Sequence, residues 1–222
     1  MTTVGLLCPG HAAEDDYARI GTLLDGVRLP VVRADALGAR EELAGKVERL
    51  RLVGAESVLW ASASGSFARG WEGAHEQVRA LALAAGLPSS STAFAFVHAL
   101  RELGAARVAV ASTYPADVTA QFAAFLGAAG VEVLAGRAGL VTAGVGGGDR
   151  VLELAVRADH PAAECVLIPD TALATAAHLE ALERELGKPV LTASQATVWE
   201  GLRLAERRAH GEELGTLFAK RE

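Results

Sequence analysis

The chain repeats itself, and the repetition limits the possible folds more than any other feature. The stretch GAESVLWASASGS (54–66) aligns with AAECVLIPDTALA (162–174) at an offset of 108. GLPSSSTAFAFV (86–97) aligns with GKPVLTASQATV (187–198) at 101, and VGLLC (4–8) with VAVAS (108–112) at 104. Three matches, in order and at similar offsets, point to two homologous halves of about 100 residues. Two copies make a duplication, since a solenoid needs three or more.

Within each half two patterns alternate. Short apolar runs at 4–8 (VGLLC), 28–33 (RLPVVR), 57–61 (SVLWA), 107–112 (RVAVAS), 131–134 (VEVL), 165–168 (CVLI) and 190–192 (VLT) read as strands. They lack polar alternation, as expected of parallel strands covered on both faces. Amphipathic stretches near 12–25, 39–54, 66–85, 92–103, 116–129, 147–157, 173–186 and 195–209 predict helices. Gly86 then Pro88, Gly104, Gly130, and Gly187 then Pro189 supply stop signals. The expected fold is therefore α/β. It has two similar parallel-sheet halves related by a pseudo-two-fold axis, with a site in the cleft between them. The first half is assigned 1–95 plus 195–222, with the C-terminal helix packing back, and the second 96–194. Gly144, Gly146, Gly147 and Gly148 match neither a P-loop nor a dinucleotide fingerprint and read as a flexible connection or lid.

Composition narrows the function. Hydrophobic residues make up 51% of the 222, and although 46 of them are alanine, the remainder suffices for a buried core. The net charge is −6 and no Lys/Arg stripe is present, which argues against nucleic-acid and anionic membrane partners. No apolar run reaches 18 residues, and MTTVGLLCPGH lacks a positive n-region and a cleavage site. A cytoplasmic protein is expected, with a homo-oligomer as one candidate assembly. Cys8 and Cys165 fall in apolar runs without metal-ligand spacing, so they read as small buried hydrophobes, and neither a metal nor a disulfide is expected.

The duplication also locates the site. Ligands bind at the carboxyl ends of parallel strands and between domains. Four strand-end loops should converge there: Cys8-Pro9-Gly10-His11, Ala61-Ser62-Ala63-Ser64-Gly65-Ser66, Ser112-Thr113-Tyr114-Pro115 and Pro169-Asp170-Thr171-Ala172. The offset of 108 pairs Ser62 with Asp170. Each loop is expected to lead into a helix, whose unpaired N–H groups and partial positive charge suit a small carboxylate.

Four stretches carry a family resemblance: VLWASASGSFARG (58–70), RVAVASTYPADV (107–118), VLIPDTALATAAHLEALERELGKPV (166–190) and VGLLCPG (4–10). Through them the chain resembles the aspartate/glutamate racemase superfamily, in its arylmalonate decarboxylase and maleate cis-trans isomerase branch. The likeness runs from about residue 3 to 218. It implies two α/β halves, a site between them, no cofactor, and chemistry at the carbon alpha to a carboxylate through an enediolate-like intermediate. Racemases and isomerases of this kind carry a cysteine in each half, and the decarboxylase carries only the second. Here those positions hold Ser62 and Asp170, and Cys8 matches neither. Thiol-based racemisation and thiol addition therefore lack their residues. By motif match, the substrate carboxylate would meet the 62–64 backbone, the Ser64 hydroxyl, Tyr114, and the N–H groups around Asp170 and Thr171. Ala63 stands where the decarboxylase has a threonine.

Individual residues keep two readings. Asp170 is a proton carrier at the α-carbon, or the N-cap of a following helix. Ser62 hydrogen-bonds substrate, or is plain loop, because a serine without a base is a poor nucleophile. His11 replaces a missing thiol, or is an exposed loop histidine. Tyr114 and Thr171 bind substrate, and Pro9 and Ala63 line the same loops. His75, His178 and His210 read as solvated, His98 as a helix–helix contact, and Trp60, Trp71 and Trp199 as core or interface anchors. AERRAHGEELGTLFAKRE reads as a solvated helix and frayed tail. The expected function is a decarboxylase- or isomerase/racemase-type enzyme for a small carboxylic acid. The alternatives are a carboxylate-binding protein without catalysis, and a hydratase or hydrolase in which Asp170 activates water.

Overall fold

A computed structural model describes residues 1–34, 37, 40–137 and 148–220. Gly144, Gly146 and Gly147 lie outside the described residues, and Gly148 opens a helix.

The first half begins β1(Thr2–Cys8)–α1(Glu14–Leu23)–β2(Val27–Arg28)–β3(Val31–Arg33)–α2(Arg40–Leu52). It continues β4(Ser57–Trp60)–α3(Ser64–Phe67)–α4(Gly70–Ala85)–β5(Ser89–Ser91)–α5(Thr92–Leu103). The second runs β6(Arg107–Ala111)–α6(Ala116–Ala128)–β7(Glu132–Arg137)–α7(Gly148–Ala158)–β8(Cys165–Ile168)–α8(Leu179–Leu186)–β9(Val190–Thr192), and α9(Ala193–Leu204) follows it. One sheet is ordered β2-β1-β4-β5 with β3 also on β1, the other β7-β6-β8-β9, and every pairing is parallel. The expected α/β fold of two parallel-sheet halves is what forms.

Alternation along each strand sorts the core. Val4, Leu6, Cys8 and Leu59 of the first sheet join Val108, Val110, Cys165 and Leu167 of the second in one central cluster. Leu7, Val58 and Trp60 face a separate outer cluster with α2 and α4 residues, and Ala109, Val166 and Ile168 face another with α7. The central seam is aromatic where α3 and α4 meet α6: Phe67–Phe122 and Trp71–Phe125 ring centroids are each 5.1 Å apart. Helix α9 packs on α5, β1, β4 and β5, and also touches β9. It sits so close to the sheet that a Cβ on Gly201 would lie 2.2 Å from Val4 Cγ1, so only glycine fits there.

Several expected boundaries move, each for a local reason. The 28–33 run splits into β2 and β3 around Pro30, whose ring nitrogen carries no hydrogen for a ladder. The stretch 66–85 is two helices, and Gly70, at φ +68, opens the second. The polar run Ser89–Ser91 forms β5, a strand that β-branched composition did not announce. The 173–186 helix starts only at Leu179, and the 195–209 helix spans Ala193–Leu204. The tail is not frayed: Leu214 and Phe218 are buried, and Gln195 Nε2 donates to the Leu214 carbonyl at 2.7 Å.

Candidate active site

The sheet registers gather the four loops in two pairs. Leu7 pairs with Trp60 across β1 and β4, so Pro9 and Ser62 leave adjacent strands side by side. Val110 pairs with Leu167 across β6 and β8, which sets Thr113 beside Asp170. The two halves then touch directly. The Ala13 N–H donates to the Thr171 carbonyl at 2.8 Å, and the Phe67 ring packs edge-on against Tyr114 at 5.8 Å.

Asp170 is buried at the end of β8. Its Oδ1 accepts the Ala172 N–H at 2.9 Å, and its Oδ2 accepts the Thr113 hydroxyl. The first bond closes a turn on its own loop rather than capping a helix. Residues 171–178 are turns and irregular backbone, and α8 begins nine residues after Asp170, at Leu179. The helix-cap reading of Asp170 is thereby corrected, and so is the helix start expected behind this loop. The reason is competition for backbone donors. The N–H groups of Thr175 and Ala176 go to the buried Asp16 carboxylate, at 2.7 Å and 3.2 Å. Among the described residues no cation pairs with Asp170.

Tyr114 is half-buried, and its hydroxyl donates to the Pro169 carbonyl at 3.1 Å. Burial and the nearby Asp170 charge push its phenol far above the ordinary range, with hydrogen bonds from Ser64 and the Thr171 backbone opposing the shift. Tyr114 is therefore a neutral donor throughout the neutral pH range. The same interactions place Ser64, Tyr114, Asp170 and Thr171 in one cluster spanning both halves.

Ser62 is buried, and its Oγ accepts the Gly65 N–H at 3.1 Å, so it closes the single turn of α3. Gly65 has no room for a side chain: a Cβ would lie 2.8 Å from both Ser62 Oγ and the Trp60 Nε1. Ser66 and Gln77 brace the loop from behind, Ser66 Oγ to Gln77 Oε1 at 2.7 Å and Gln77 Nε2 to the Gly65 carbonyl at 2.9 Å. Ala63, Pro9 and Thr171 are buried, whereas His11 is exposed on the first loop. Among the described residues nothing ties His11 to the Ser64–Tyr114–Asp170–Thr171 cluster.

Cys8 ends β1, fully buried, and burial with the Glu14 charge pushes its thiol up to about 12. Burial raises Cys165 as well. Neither supplies a thiolate at neutral pH, because the thiolate is the reactive form. We expect no thiol of the native protein to react with Ellman's reagent at pH 8, and both to react in guanidinium. A native thiol that titrates within minutes would contradict the buried placement. Among the described residues no cluster of His, Cys, Asp and Glu could hold a metal ion, and no helix is long and apolar enough to cross a membrane.

Sequence reasoning gave no individual role to three residues that build this site. Thr113 carries no motif of its own, and its signal is the β6/β8 register. Phe67, in SGSF, seats Tyr114. Asp16 holds the far side of the Asp170 loop, and its partners stand about 160 residues away in the chain.

Comparison with known proteins agrees with this architecture. The sequence model of the arylmalonate decarboxylase family matches residues 24–218. Arylmalonate decarboxylase of Bordetella bronchiseptica is 32% identical over 225 residues, covering 91% of this chain and 90% of that protein. A crystal structure of arylmalonate decarboxylase superposes with a TM-score of 0.83 at 29% identity, over 97% of this chain and 98% of that one. A maleate cis-trans isomerase from Nocardia farcinica shares the fold, with a TM-score of 0.86 at 22% identity over 100% and 99% of the two chains. By family match and by identity over nearly its full length, the chain belongs to the arylmalonate decarboxylase family.

Proposed function

We propose that this chain, an enzyme of the decarboxylase and isomerase kind by its family, acts at the carbon alpha to the carboxylate of a small organic acid. The relative's name makes aryl-substituted acids the first class to test. The observation that carries the reading is the cluster of Asp170, Tyr114, Ser64 and Thr171. It sets one carboxylate among hydroxyl and N–H donors where the two halves meet.

The roles follow from charge. Negative charge develops on the substrate carboxylate as an enediolate forms, and donors aimed at it are usually the largest catalytic contribution. The Ser64 hydroxyl, the neutral Tyr114 hydroxyl once it turns from the Pro169 carbonyl, and the backbone N–H groups of the 62–64 loop and Thr171 would serve there. Asp170 would move the proton at carbon. Ser62, tied to Gly65, shapes the loop and contacts substrate without acting as a nucleophile. Pro9 and Ala63 would wall the substrate's place, and His11 would stand at its edge. The protein's own residues suffice for these steps, with no cofactor called on.

The test is proton NMR in deuterated water with arylmalonates, arylacetates, maleate, aspartate, glutamate and hydroxy acids. We expect α-proton exchange, isomerisation or loss of a carboxyl group with at least one of them. Binding of an acid without turnover across the panel would instead favour a carboxylate-binding protein. Incorporation of solvent oxygen would favour a hydratase or hydrolase.

A further inference from the structure

We infer that Thr113 is the positioning residue of Asp170, and that the pair acts as a base rather than an acid. The inference rests on the proposed carbon-acid chemistry and narrows its substrates. It favours acids with a C–H bond next to the carboxylate over geminal diacids.

The hydrogen bonds define the pair. Asp170 Oδ1 is held by the Ala172 N–H at 2.9 Å, and Oδ2 by the Thr113 hydroxyl. A hydroxyl proton needs an acceptor, and Asp170 is the only described partner of the Thr113 hydroxyl. That proton therefore points at the carboxylate. Both oxygens face donors, so the two acceptors of a carboxylate are each met, and a carboxyl O–H would have to displace one of these contacts. Neither donor belongs to a mobile side chain on a helix face. One is backbone in the turn after β8, and the other is carried by the end of β6, in register with Asp170. Neighbouring Tyr114 is fixed on the Pro169 carbonyl. The carboxylate is thus held in orientation at both oxygens before substrate arrives.

The resting charge decides the order of events. A carboxylate base takes the α-proton: the C–H bond breaks, an O–H bond forms on Asp170, and the electron pair enters the substrate carboxylate as an enediolate. The Asp170 proton exchanges with solvent, and a proton then returns from Asp170 to the same face of the α-carbon, or to the γ-carbon of an unsaturated acid. No oxidant or second reactant is needed. Decarboxylation of a geminal diacid runs the other way. Carbon dioxide leaves first, and the carbanion must then take a proton already resting on the acid group.

The experiment compares the intact protein with Thr113→Val and Thr113→Ser. Each receives phenylacetate and, separately, phenylmalonate in deuterated water, followed by NMR. We expect α-deuteration of phenylacetate to outpace decarboxylation of phenylmalonate. Thr113→Val should lower kcat for exchange about 10- to 100-fold with KM changed less than about twofold, since misplacing a reacting group costs rate rather than binding. Thr113→Ser, which keeps the hydroxyl, should recover most of the rate. A merely structural threonine would not be rescued in kcat alone. Thr113→Ala serves if the valine variant does not fold. Phenylmalonate decarboxylation without phenylacetate exchange would overturn the base assignment while leaving the proposed function intact. A fully active Thr113→Val would overturn the role of Thr113. Failure of every acid in the wider panel would overturn the proposed function itself.

Discussion

Replacing Asp170 by asparagine should lower kcat for proton transfer at the α-carbon by about 10³-fold, within the range a positioned general acid or base contributes. The protein should stay folded. An asparagine Oδ1 still accepts the Ala172 N–H, and asparagine is at home in this kind of turn. What is lost is the second acceptor, the Oδ2 that now takes the Thr113 hydroxyl. An amide neither takes nor gives a proton near neutral pH, so no other group in the cluster replaces it. Tyr114 is no substitute, because burial, the larger cause of its raised phenol, persists in the variant and keeps it neutral. Cys8 is none either, with its thiol pushed up to about 12. Removing one negative charge from beside an anionic substrate should, if anything, tighten binding. The signature is therefore a collapse of kcat with KM unchanged or lower. A variant that keeps more than a tenth of the wild-type kcat would remove Asp170 from the chemistry.

The Asp170 position was legible because the duplication aligned it with Ser62, and because both loops leave central strands of their sheets. Its surroundings were not. A helix-cap reading followed naturally from Asp-Thr-Ala-Leu, since local sequence offers Asp as a cap wherever a helix follows. Here the backbone donors of the next turn go to Asp16, on the other half of the molecule, and the helix begins later. A long-range acceptor outcompeted a local helix, and no window of sequence contains both partners. Thr113 was hidden for a similar reason: its partner lies 57 residues away.

The fold was clearer than the site because its signal is carried by many residues at once. Apolar runs without alternation marked six strands correctly, since burial on both faces leaves no polar positions. The strand that escaped, Ser89–Ser91, is three serines, short enough for pairing with β4 to override composition. Its repeat partner, Val190–Thr192, is apolar, so the alignment of 86–97 with 187–198 held the missing information. The tail was misread because charged residues outnumber the few that matter. Leu214 and Phe218 reach the core while AERRAH sets the local character.

Asp16→Ala should destabilise the protein by about 3 kcal/mol or more, the usual scale for stripping a buried charged acceptor from its partners. In a chain of this size that corresponds to a fall in Tm of roughly 6–12 °C. The carboxylate is 4% exposed, so water cannot replace it. Its Oδ2 accepts the Thr175 N–H at 2.7 Å, the Ser194 hydroxyl at 2.7 Å and the Thr175 hydroxyl at 3.2 Å, and the Ala176 N–H stands 3.2 Å away. Truncation leaves two backbone donors and two hydroxyls facing a cavity. The hydroxyls can turn to other acceptors, but the backbone N–H groups cannot, so most of the cost falls on Thr175 and Ala176. Asp16→Asn should cost less, because its carbonyl oxygen still accepts while its NH2 faces donors. The two variants also report on the site. Asp16 belongs to α1, and all its partners belong to the loop after Asp170 and the start of α9. It ties the first half to the segment that carries Thr171. Loss of this tie should lower activity in step with stability, unlike Asp170→Asn, which separates the two. An Asp16→Ala protein that melts within about 2 °C of wild type would mean that the aromatic seam, not this carboxylate, holds the halves in place.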